Sequence, residues 1–310
     1  MKRERKRKGV PLHGWLNFHK PLHMTSTQAV GLVKRLSQAQ KVGHAGTLDP
    51  LASGVLPIAL GDATKTVPML MDAQKTYRFQ VTFGARTTTD DLEGEVIETS
   101  HVRPDAQLIM AVLPKFLGEI EQIPPAFSAI KIKGERAYDL ARAGIDVQMK
   151  PREVRIDSFA LVSMQSPDIA EFLVKCGKGT YVRSLARDMA QALGTCGHVS
   201  KLVREAVGQF HIDHAISLDF LEKSVHIPPA LDASEGLRQS WLQPIASVLG
   251  DIPALEVDGE SVYKLRSGQS VMMPKLVPYY GQVAALHEGE IVALCMADKL
   301  TLKPFRVFNG

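Results

Sequence analysis

The sequence lacks the features that mark membrane and secreted proteins. No run of about eighteen apolar residues occurs in its 310 residues, so no segment is predicted to span a bilayer as a helix. The first eight residues are mostly basic and contain no apolar stretch of the kind that a secretory signal needs. We therefore expect a cytoplasmic protein that does not associate with a membrane.

Cysteine is scarce, and the net charge is small. Cys176, Cys196 and Cys295 are widely spaced and form no Cys-x-x-Cys pair, so neither a disulfide framework nor a zinc site is predicted. A net charge of +4 is too slight to establish a polyanionic partner. Six of residues 2–8 are basic, which fits either an arm that contacts phosphates or a solvated tail.

The hydrophobic pattern predicts a mixed α/β (α+β) domain. A capping box from Thr25 to Gln28 precedes apolar residues at helical spacing, which predicts a helix over 26–38. Alternation predicts a half-buried strand over 77–83. A second strand is predicted at 170–175, joined by a Gly-Lys-Gly turn to a helix predicted over 181–193. Because strands and helices do not alternate regularly, we expect a mixed, largely antiparallel sheet flanked by helices.

The last part of the chain has a different pattern. Prolines punctuate residues 228–253, and short β-like runs at 283–286 and 291–296 then follow, separated by turns. This pattern predicts a small all-β module. We therefore expect a basic arm over 1–9, a large domain over 10–247 and a C-terminal domain over 248–310.

The most unusual stretch is residues 43–54, Gly-His-Ala-Gly-Thr-Leu-Asp-Pro-Leu-Ala-Ser-Gly. An Asp ahead of a proline, in a loop flanked by glycines, can present its carboxylate to a ligand at a fixed angle. Asp49 is also consistent with a turn-forming or capping role, and His44 with a structural one. No Gly-Lys-Ser or Gly-Lys-Thr follows, which argues against a nucleotide-binding phosphate loop.

This loop and five other motifs resemble the TruB family of bacterial tRNA pseudouridine synthases, which act on uridine 55 in the TΨC arm. The motifs follow the family's order and cover residues 10 to about 210. In chain order they are Lys20-Pro21 with Ser26, Gly43 to Gly54, Lys75-x-Tyr77, Thr87-x-Thr89-x-Asp91-x-x-Gly94, Gln122 to Lys131, and Lys178 to Leu185.

The resemblance is weaker in two places. Where the family usually reads Leu-Arg-Arg-Thr, this chain has Leu202-Val203-Arg204-Glu205, so a phosphate contact by the missing arginine is in doubt. The last sixty or so residues resemble the family's C-terminal PUA-like β-barrel only in position. The resemblance thus implies a pseudouridine-synthase fold followed by a small PUA-like RNA-binding barrel.

The implied reaction is an isomerisation that needs neither cofactor nor metal. The N1–C1′ glycosidic bond breaks, the uracil turns within the site, and C5 bonds to C1′. Asp49 would attack C1′ or C6, or remove the C2′ proton. Arg183 would pair with Asp49, although the sequence alone also fits a surface arginine at a helix start. Tyr77 would stack on the flipped uridine and could move a proton from C5, although alternation alone makes it a core residue.

Four further residues are assigned to the pocket by the resemblance. His44 would help to displace the flipped bases by stacking against the loop. Leu202 would pack against the uracil, and Lys20 and Tyr181 would support the pocket.

Three more residues have open roles, and the implied partner is the T-arm stem-loop of tRNA. Asp91 fits either a polar network in the pocket or the capping of a Thr-rich turn. Lys131 and Lys178 fit either phosphate contacts or solvated positions. We expect a monomer. An alternative is a tRNA-folding RNA chaperone that uses the same surface without dependence on catalysis.

Overall fold

The computed structural model describes residues 9–128, 130–132, 135–137, 145, 148–225, 241–273 and 279–309. The predicted basic arm therefore lies outside the described residues apart from Gly9. The described helices are α1 Ser26–Ser37, α2 Val67–Asp72, α3 Ala106–Val112, α4 Val182–Ala192, α5 Leu218–Val225 and α6 Gly259–Arg266. Short 3₁₀ helices are Gly61–Lys65, Leu113–Phe116, Ile212–His214 and Ile245–Val248.

The described strands fall into a large sheet, a C-terminal sheet and two small hairpins. They are β1 Gly14–Lys20, β2 Val42–His44, β3 Ala52–Leu60, β4 Lys75–Phe83, β5 Ala85–Thr87, β6 Val96–Thr99, β7 Gly118–Gln122, β8 Lys131–Ile132, β9 Glu135–Arg136, β10 Arg152–Met164, β11 Ile169–Cys176, β12 Gly197–Val207, β13 Phe210–His211, β14 Leu242–Gln243, β15 Ala254–Glu256, β16 Val271–Met272, β17 Tyr279–His287, β18 Glu290–Lys299 and β19 Thr301–Val307.

The large sheet contains ten of these strands. Eight lie in the spatial order β14-β1-β3-β12-β4-β11-β10-β7, while β13 pairs with β12 and β2 pairs with β3. Within the described residues every pairing in this sheet is antiparallel except that of β3 with β12. Strand β12 therefore lies between the strand that follows the 43–54 loop and the strand that carries Tyr77.

Helices α1, α3, α4 and α5 contribute to the core that covers the large sheet. Val33 of α1 and Met189 of α4 are buried in the same core as Phe79 and Phe172 of the sheet. The rings of Phe79 and Phe172 stack with centroids 5.5 Å apart. Each fully buried apolar side chain of this size contributes about 1.5–3 kcal/mol relative to an exposed position, so this core fixes the strands that bear the site.

The C-terminal sheet is small and curled, with the strand order β15-β17-β18-β19-β16. It packs against the large sheet through a second core that joins Trp15 and Phe210 to Leu294 and Phe308. The Lys65 ammonium also donates to the carbonyl of the residue before Phe308 over 2.8 Å.

The predicted fold class is confirmed: a mixed, largely antiparallel sheet flanked by helices is followed by a half-barrel sheet. The helix predicted over 26–38 is α1, and its capping box forms between Thr25 and Gln28. The expectation of an all-β C-terminal module was wrong in one respect, because α6 lies within it. A helix of only about two turns gives hydrophobic periodicity too few repeats to detect. Its start is set instead by Asp258, whose carboxylate accepts from the Ser261 N–H over 2.8 Å.

Candidate active site

Asp49 lies in the turn between β2 and β3, and Ser26 fixes that turn from the side of α1. We call residues 45–51 the Asp49 loop. The Ser26 hydroxyl donates to the Leu48 carbonyl over 3.0 Å and accepts from the Leu48 N–H over 2.9 Å. The Ala52 N–H closes the turn on the Asp49 carbonyl over 3.0 Å. The backbone on both sides of the Asp49 side chain is therefore held by hydrogen bonds.

Arg204 holds the same loop from the side of the sheet. Only 2% of Arg204 is exposed, and its guanidinium donates to the carbonyls of Val55, Thr47 and Gly46 over 2.7, 3.2 and 3.1 Å. Gly54 permits the Arg204 backbone to pack closely beside it, because a Cβ there would lie 2.3 Å from the Arg204 carbonyl oxygen. Arg204 was not among the predicted site residues. Its place two residues after Leu202 in a strand was the signal, since such residues share a face.

Arg183 is the cation beside Asp49. Its Nη2 lies 2.8 Å from Asp49 Oδ2, and its Nη1 lies 3.5 Å from Asp91 Oδ2. The guanidinium also donates to the carbonyls of Thr89 and Phe127, each over 3.0 Å. Arg183 is therefore a buried, oriented arginine, not the surface residue that its position at a helix start also allowed.

Asp91 caps the Thr-rich turn and also contacts Arg183, whereas its role in the pocket stays a prediction. Its Oδ1 accepts from the Glu93 N–H over 3.0 Å and from the Thr89 hydroxyl, which caps the turn. Its Oδ2 faces Arg183. The preceding Asp90 pairs with Arg187 over 3.1 Å, and burial raises the pKa of Asp90 while Arg187 opposes that shift.

Tyr77 and Leu202 supply the apolar part of the site. Tyr77 is half-buried at the edge of the main core, and Leu202 is buried on the neighbouring strand. Burial raises the pKa of the Tyr77 phenol, and the positive charge of Arg204 opposes that shift. The hydroxyl is therefore protonated near neutral pH, while the ring borders open space.

A cavity of about 570 Å³ brings these groups together. This volume lies within the range of small-molecule sites, about 300–1,000 Å³. Its walls come from the Asp49 loop, β4, β12, β10 and the turn before α4. The lining includes the charged residues Asp49, Asp72, Lys75, Arg152, Glu153, Lys178, Arg183 and Arg204, together with Tyr77, Tyr181 and Leu202. Cations thus outnumber carboxylates around an apolar floor, which suits an anionic ligand with a flat apolar face.

Tyr181 borders the cavity at the start of α4. Its N–H donates to Gln122 Oε1 over 2.8 Å, and Gln122 Nε2 donates back to its carbonyl over 3.1 Å. Burial raises the pKa of the Tyr181 phenol. This reciprocal pair fixes the backbone two residues before Arg183.

Lys20 and His44 lie behind the Asp49 loop and are not part of the cavity wall. Lys20 is fully buried, and its ammonium donates to the carbonyls of Pro21 and Met24 over 2.9 and 2.7 Å. Burial lowers the pKa of Lys20 to about 8, although the negative charge of Asp49 opposes that shift. Burial and the charge of Arg204 lower the pKa of His44. The predicted role of Lys20 in supporting the pocket stays a prediction, because its hydrogen bonds go to the segment that precedes α1.

The two remaining lysines differ. Lys178 is an exposed residue of the cavity rim, and its ammonium lies 2.8 Å from Asp72 Oδ1. Lys131 belongs to β8, but its side chain lies outside the described part of the chain.

The departure at Val203 and Glu205 falls away from the cavity wall. Cross-strand register pairs Val203 with Arg78, whereas Arg204 pairs with Tyr77. Because side chains alternate between faces, position 203 faces away from the cavity. The Glu205 carboxylate lies 2.5 Å from Arg78 Nε, so its negative charge is compensated outside the site. An arginine at position 203 would therefore not face this cavity.

The described residues contain neither a metal-binding cluster nor a membrane-spanning helix. No group of three or more His, Cys, Asp and Glu side chains in these residues is arranged to bind a metal ion. In the same part of the chain, no helix combines the length and apolar character needed to cross a membrane.

Comparison with solved structures identifies the fold class. The crystal structure of a Cbf5–Nop10–Gar1 complex contains a chain that matches with a TM-score of 0.74 at 25% identity, over 98% of this chain and 91% of that one. A structure of an H/ACA RNP bound to a substrate RNA containing 2′-deoxyuridine matches with a TM-score of 0.71 at 23% identity, over 99% and 92%. The second likeness concerns the fold alone.

Comparison of the sequence identifies the family. Residues 34–182 match the N-terminal domain of the TruB family pseudouridylate synthases, and residues 183–249 match the tRNA pseudouridylate synthase B C-terminal domain. A protein of Caulobacter sp. (strain K31) named tRNA pseudouridine synthase B is 47% identical over 314 residues, covering 98% of this chain and 99% of the relative. One of the same name from Bradyrhizobium diazoefficiens is 49% identical over 300 residues, covering 96% and 86%.

The chain therefore belongs to the TruB family of pseudouridine synthases, and it is an isomerase. The resemblance drawn from the six motifs is confirmed. The comparisons give no support to the alternative of an RNA chaperone that does not depend on catalysis.

Proposed function

We propose that the protein converts uridine 55 in the T arm of tRNA to pseudouridine, with Asp49 as the catalytic carboxylate. The observation that carries this proposal is the pairing of Asp49 with the buried guanidinium of Arg183 at the wall of a cavity that also exposes Tyr77. The family membership gives the reaction, and the names of the relatives give tRNA as the substrate class.

The target uridine must leave its stack before a carboxylate can reach it. Flipping a nucleotide costs a few kcal/mol, and stacking on an aromatic side chain returns about 1–3 kcal/mol per base. Tyr77 provides the ring, and the buried Leu202 on the neighbouring strand provides a further apolar contact for the base. The cavity thus offsets much of the flipping cost with contacts to the uracil alone.

The chemistry conserves every atom of the nucleotide. The N1–C1′ bond breaks, the uracil turns, the C5–C1′ bond forms, and the proton lost from C5 is replaced by one at N1. A carboxylate can assist by attack at C1′, by attack at C6 or by removal of the C2′ proton. Each route requires an ionised Asp49 that faces the cavity, and the Arg183 guanidinium at 2.8 Å orients its carboxylate. The Tyr77 phenol is protonated at neutral pH, so it would carry the C5 proton as a relay that passes its own proton to Asp49 or to water as it accepts the new one.

The cations at the cavity are suited to the RNA backbone. Lys178 and Arg152 line the rim, and exposed cations of this kind displace counterions from phosphates. Binding should therefore weaken as salt is added. Recognition would depend on the shape of the loop, its exposed bases and its 2′-hydroxyls.

We further infer that the two domains have different roles in binding tRNA. Residues 10–247 would hold the site, and the C-terminal domain over 248–310 would contact another part of the tRNA. A single chain supplies every group of the site described above, so a monomer suffices. The substrate is a cytoplasmic RNA, which makes the cytoplasm the expected compartment.

The direct test uses a T-arm stem-loop with labelled uridines, incubated with the protein in the absence of metal and cofactor. Nuclease digestion and chromatography should reveal one labelled pseudouridine, at the position of uridine 55. A stem-loop with cytidine at that position is the matched control and should yield none. Absence of product, or product only at another uridine, would contradict the proposed specificity.

A further inference from the structure

We propose that Arg204 is a positioning residue, which sets where Asp49 stands relative to Tyr77. This inference rests on the proposed role of Asp49. It assigns to Arg204 no contact with the substrate, although the guanidinium also lies beside the Tyr77 phenol. Its function would be to tie the Asp49 loop to the strand beside Tyr77.

The Arg204 guanidinium is bonded to backbone carbonyls on both sides of Asp49. Two of its hydrogen bonds go to the carbonyls of Gly46 and Thr47, which precede Asp49, and one goes to Val55, which follows it. A shift of residues 46 and 47 relative to β3 would stretch or break at least one of these bonds. Asp49 lies between the anchored ends.

The backbone of Arg204 connects this anchor to the strand that carries Tyr77. Strand β12 pairs in parallel with β3, where Arg204 is opposite Gly54, and antiparallel with β4, where Arg204 is opposite Tyr77. Arg204 is therefore paired with Gly54 on one neighbouring strand and with Tyr77 on the other. Displacing Arg204 would alter the distance between the carboxylate and the phenol, the two groups assigned to the chemistry.

No other side chain can make the same set of contacts. Arginine carries five N–H donors on three nitrogens in a planar fork, and Arg204 uses all three nitrogens. Lysine keeps the positive charge but has a single nitrogen. Glutamine keeps a planar N–H donor group but lacks the charge. These two substitutions separate the geometry of the fork from its charge.

Arg78 is a matched control one strand away. It belongs to β4, next to Tyr77 in sequence, and is directed to the opposite face of the sheet, where it pairs with Glu205 over 2.5 Å and Glu171 over 3.5 Å. Replacing it removes an arginine and its ion pairs from the same sheet without touching the Asp49 loop.

The test compares Arg204→Lys, Arg204→Gln and Arg78→Lys with the parent protein. Single-turnover rates of pseudouridine formation are measured at saturating T-arm stem-loop, well below the melting temperature of each variant, with filter binding for RNA affinity. We expect the rate of Arg204→Lys to fall about 10²-fold, because a misplacement of roughly 1 Å has an effect of that size. The dissociation constant should stay within about threefold, since the change acts on the transition state and not on binding. Arg78→Lys should keep both values.

A double-mutant cycle adds a measurement that a general loss of stability would not affect. Ser26→Ala releases the loop from its second anchor, the Leu48 backbone. If both anchors act through the loop, the combined loss in Ser26→Ala with Arg204→Lys should differ from the product of the single losses by more than about threefold. The cycle of Ser26→Ala with Arg78→Lys should be multiplicative.

Three results would overturn the proposal: an unchanged rate in Arg204→Lys, a loss that appears only in RNA affinity, or a multiplicative cycle with Ser26→Ala. Arg204→Gln then identifies the source of any effect. If the rate of Arg204→Gln equals that of Arg204→Lys, the loss is due to the missing planar fork. A normal rate in Arg204→Gln would contradict a role for the fork. Failure of the parent protein to modify the stem-loop would instead count against the proposed function.

Discussion

Arg183 and Asp49 form an ion pair whose two members differ in burial. The Nη2–Oδ2 distance is 2.8 Å, but the Arg183 side chain is 7% exposed and the Asp49 side chain 39%. The guanidinium is therefore fixed inside the protein while the carboxylate remains open to the cavity. A cation held in this way orients the carboxylate towards the cavity, which is what a catalytic Asp requires.

The same arginine stabilises the fold through Asp91. Asp91 is nearly buried, and removal of Arg183 would leave its carboxylate with only the turn contacts to Thr89 and Glu93. Loss of one partner from a buried ion pair costs about 3 kcal/mol or more. We expect Arg183→Met to lose about that amount in the free energy of unfolding, measured with urea, and to lose activity.

A double variant separates the two effects of that substitution. Arg183→Met combined with Asp91→Asn removes the buried negative charge, so part of the unfolding free energy should return while activity stays low. Recovery of activity together with stability would show that Arg183 serves the fold alone.

Tyr77→Phe tests the phenolic hydroxyl. The variant keeps the ring, so the dissociation constant for the T-arm stem-loop should not change. If the hydroxyl carries the C5 proton, the single-turnover rate should fall about 10²–10⁴-fold. Tyr77→Leu is the control for stacking and should weaken RNA binding by about 1–3 kcal/mol. An unchanged rate in Tyr77→Phe would leave the ring as a stacking platform only.

Lys20 predicts a change of stability with pH. Its pKa is about 8 in the folded protein and 10.5 as the ordinary value, so between these values the unfolded chain binds more protons. The free energy of unfolding should therefore gain from Lys20 as the pH rises through that window, because the burial cost of the charge disappears. Relative to Lys20→Met, the parent should gain about 2.5 kcal/mol between pH 7 and pH 10 in urea unfolding. A constant difference would contradict the lowered pKa.

The fold was predictable where one local signal dominates. The capping box and helical spacing located α1, and strict alternation located β4 to within two residues at its start. Strand order was beyond the reach of these patterns. The parallel pairing of β3 with β12 joins segments about 150 residues apart and depends on Gly54 admitting the Arg204 backbone, which no local periodicity encodes.

The site was predictable through motifs and less so through single residues. The Asp49 loop, Arg183, Tyr77 and Leu202 meet at one cavity, as the resemblance implied, although their catalytic roles remain predictions. Arg204 could have been placed on the same face of β12 as Leu202 by alternation, but its bonds to the backbone carbonyls of the Asp49 loop have no sequence signature. The effect of the missing arginine at position 203 could not be predicted, because the sequence alone does not show which face of β12 borders the cavity.

The measurement closest to the central claim is the activity of Asp49→Asn on the T-arm stem-loop. Asparagine keeps the size of the side chain and its place in the loop but cannot act as nucleophile or base. We predict that pseudouridine formation is abolished while the RNA dissociation constant stays nearly the same. Product formed at the parent rate would contradict the assignment of Asp49.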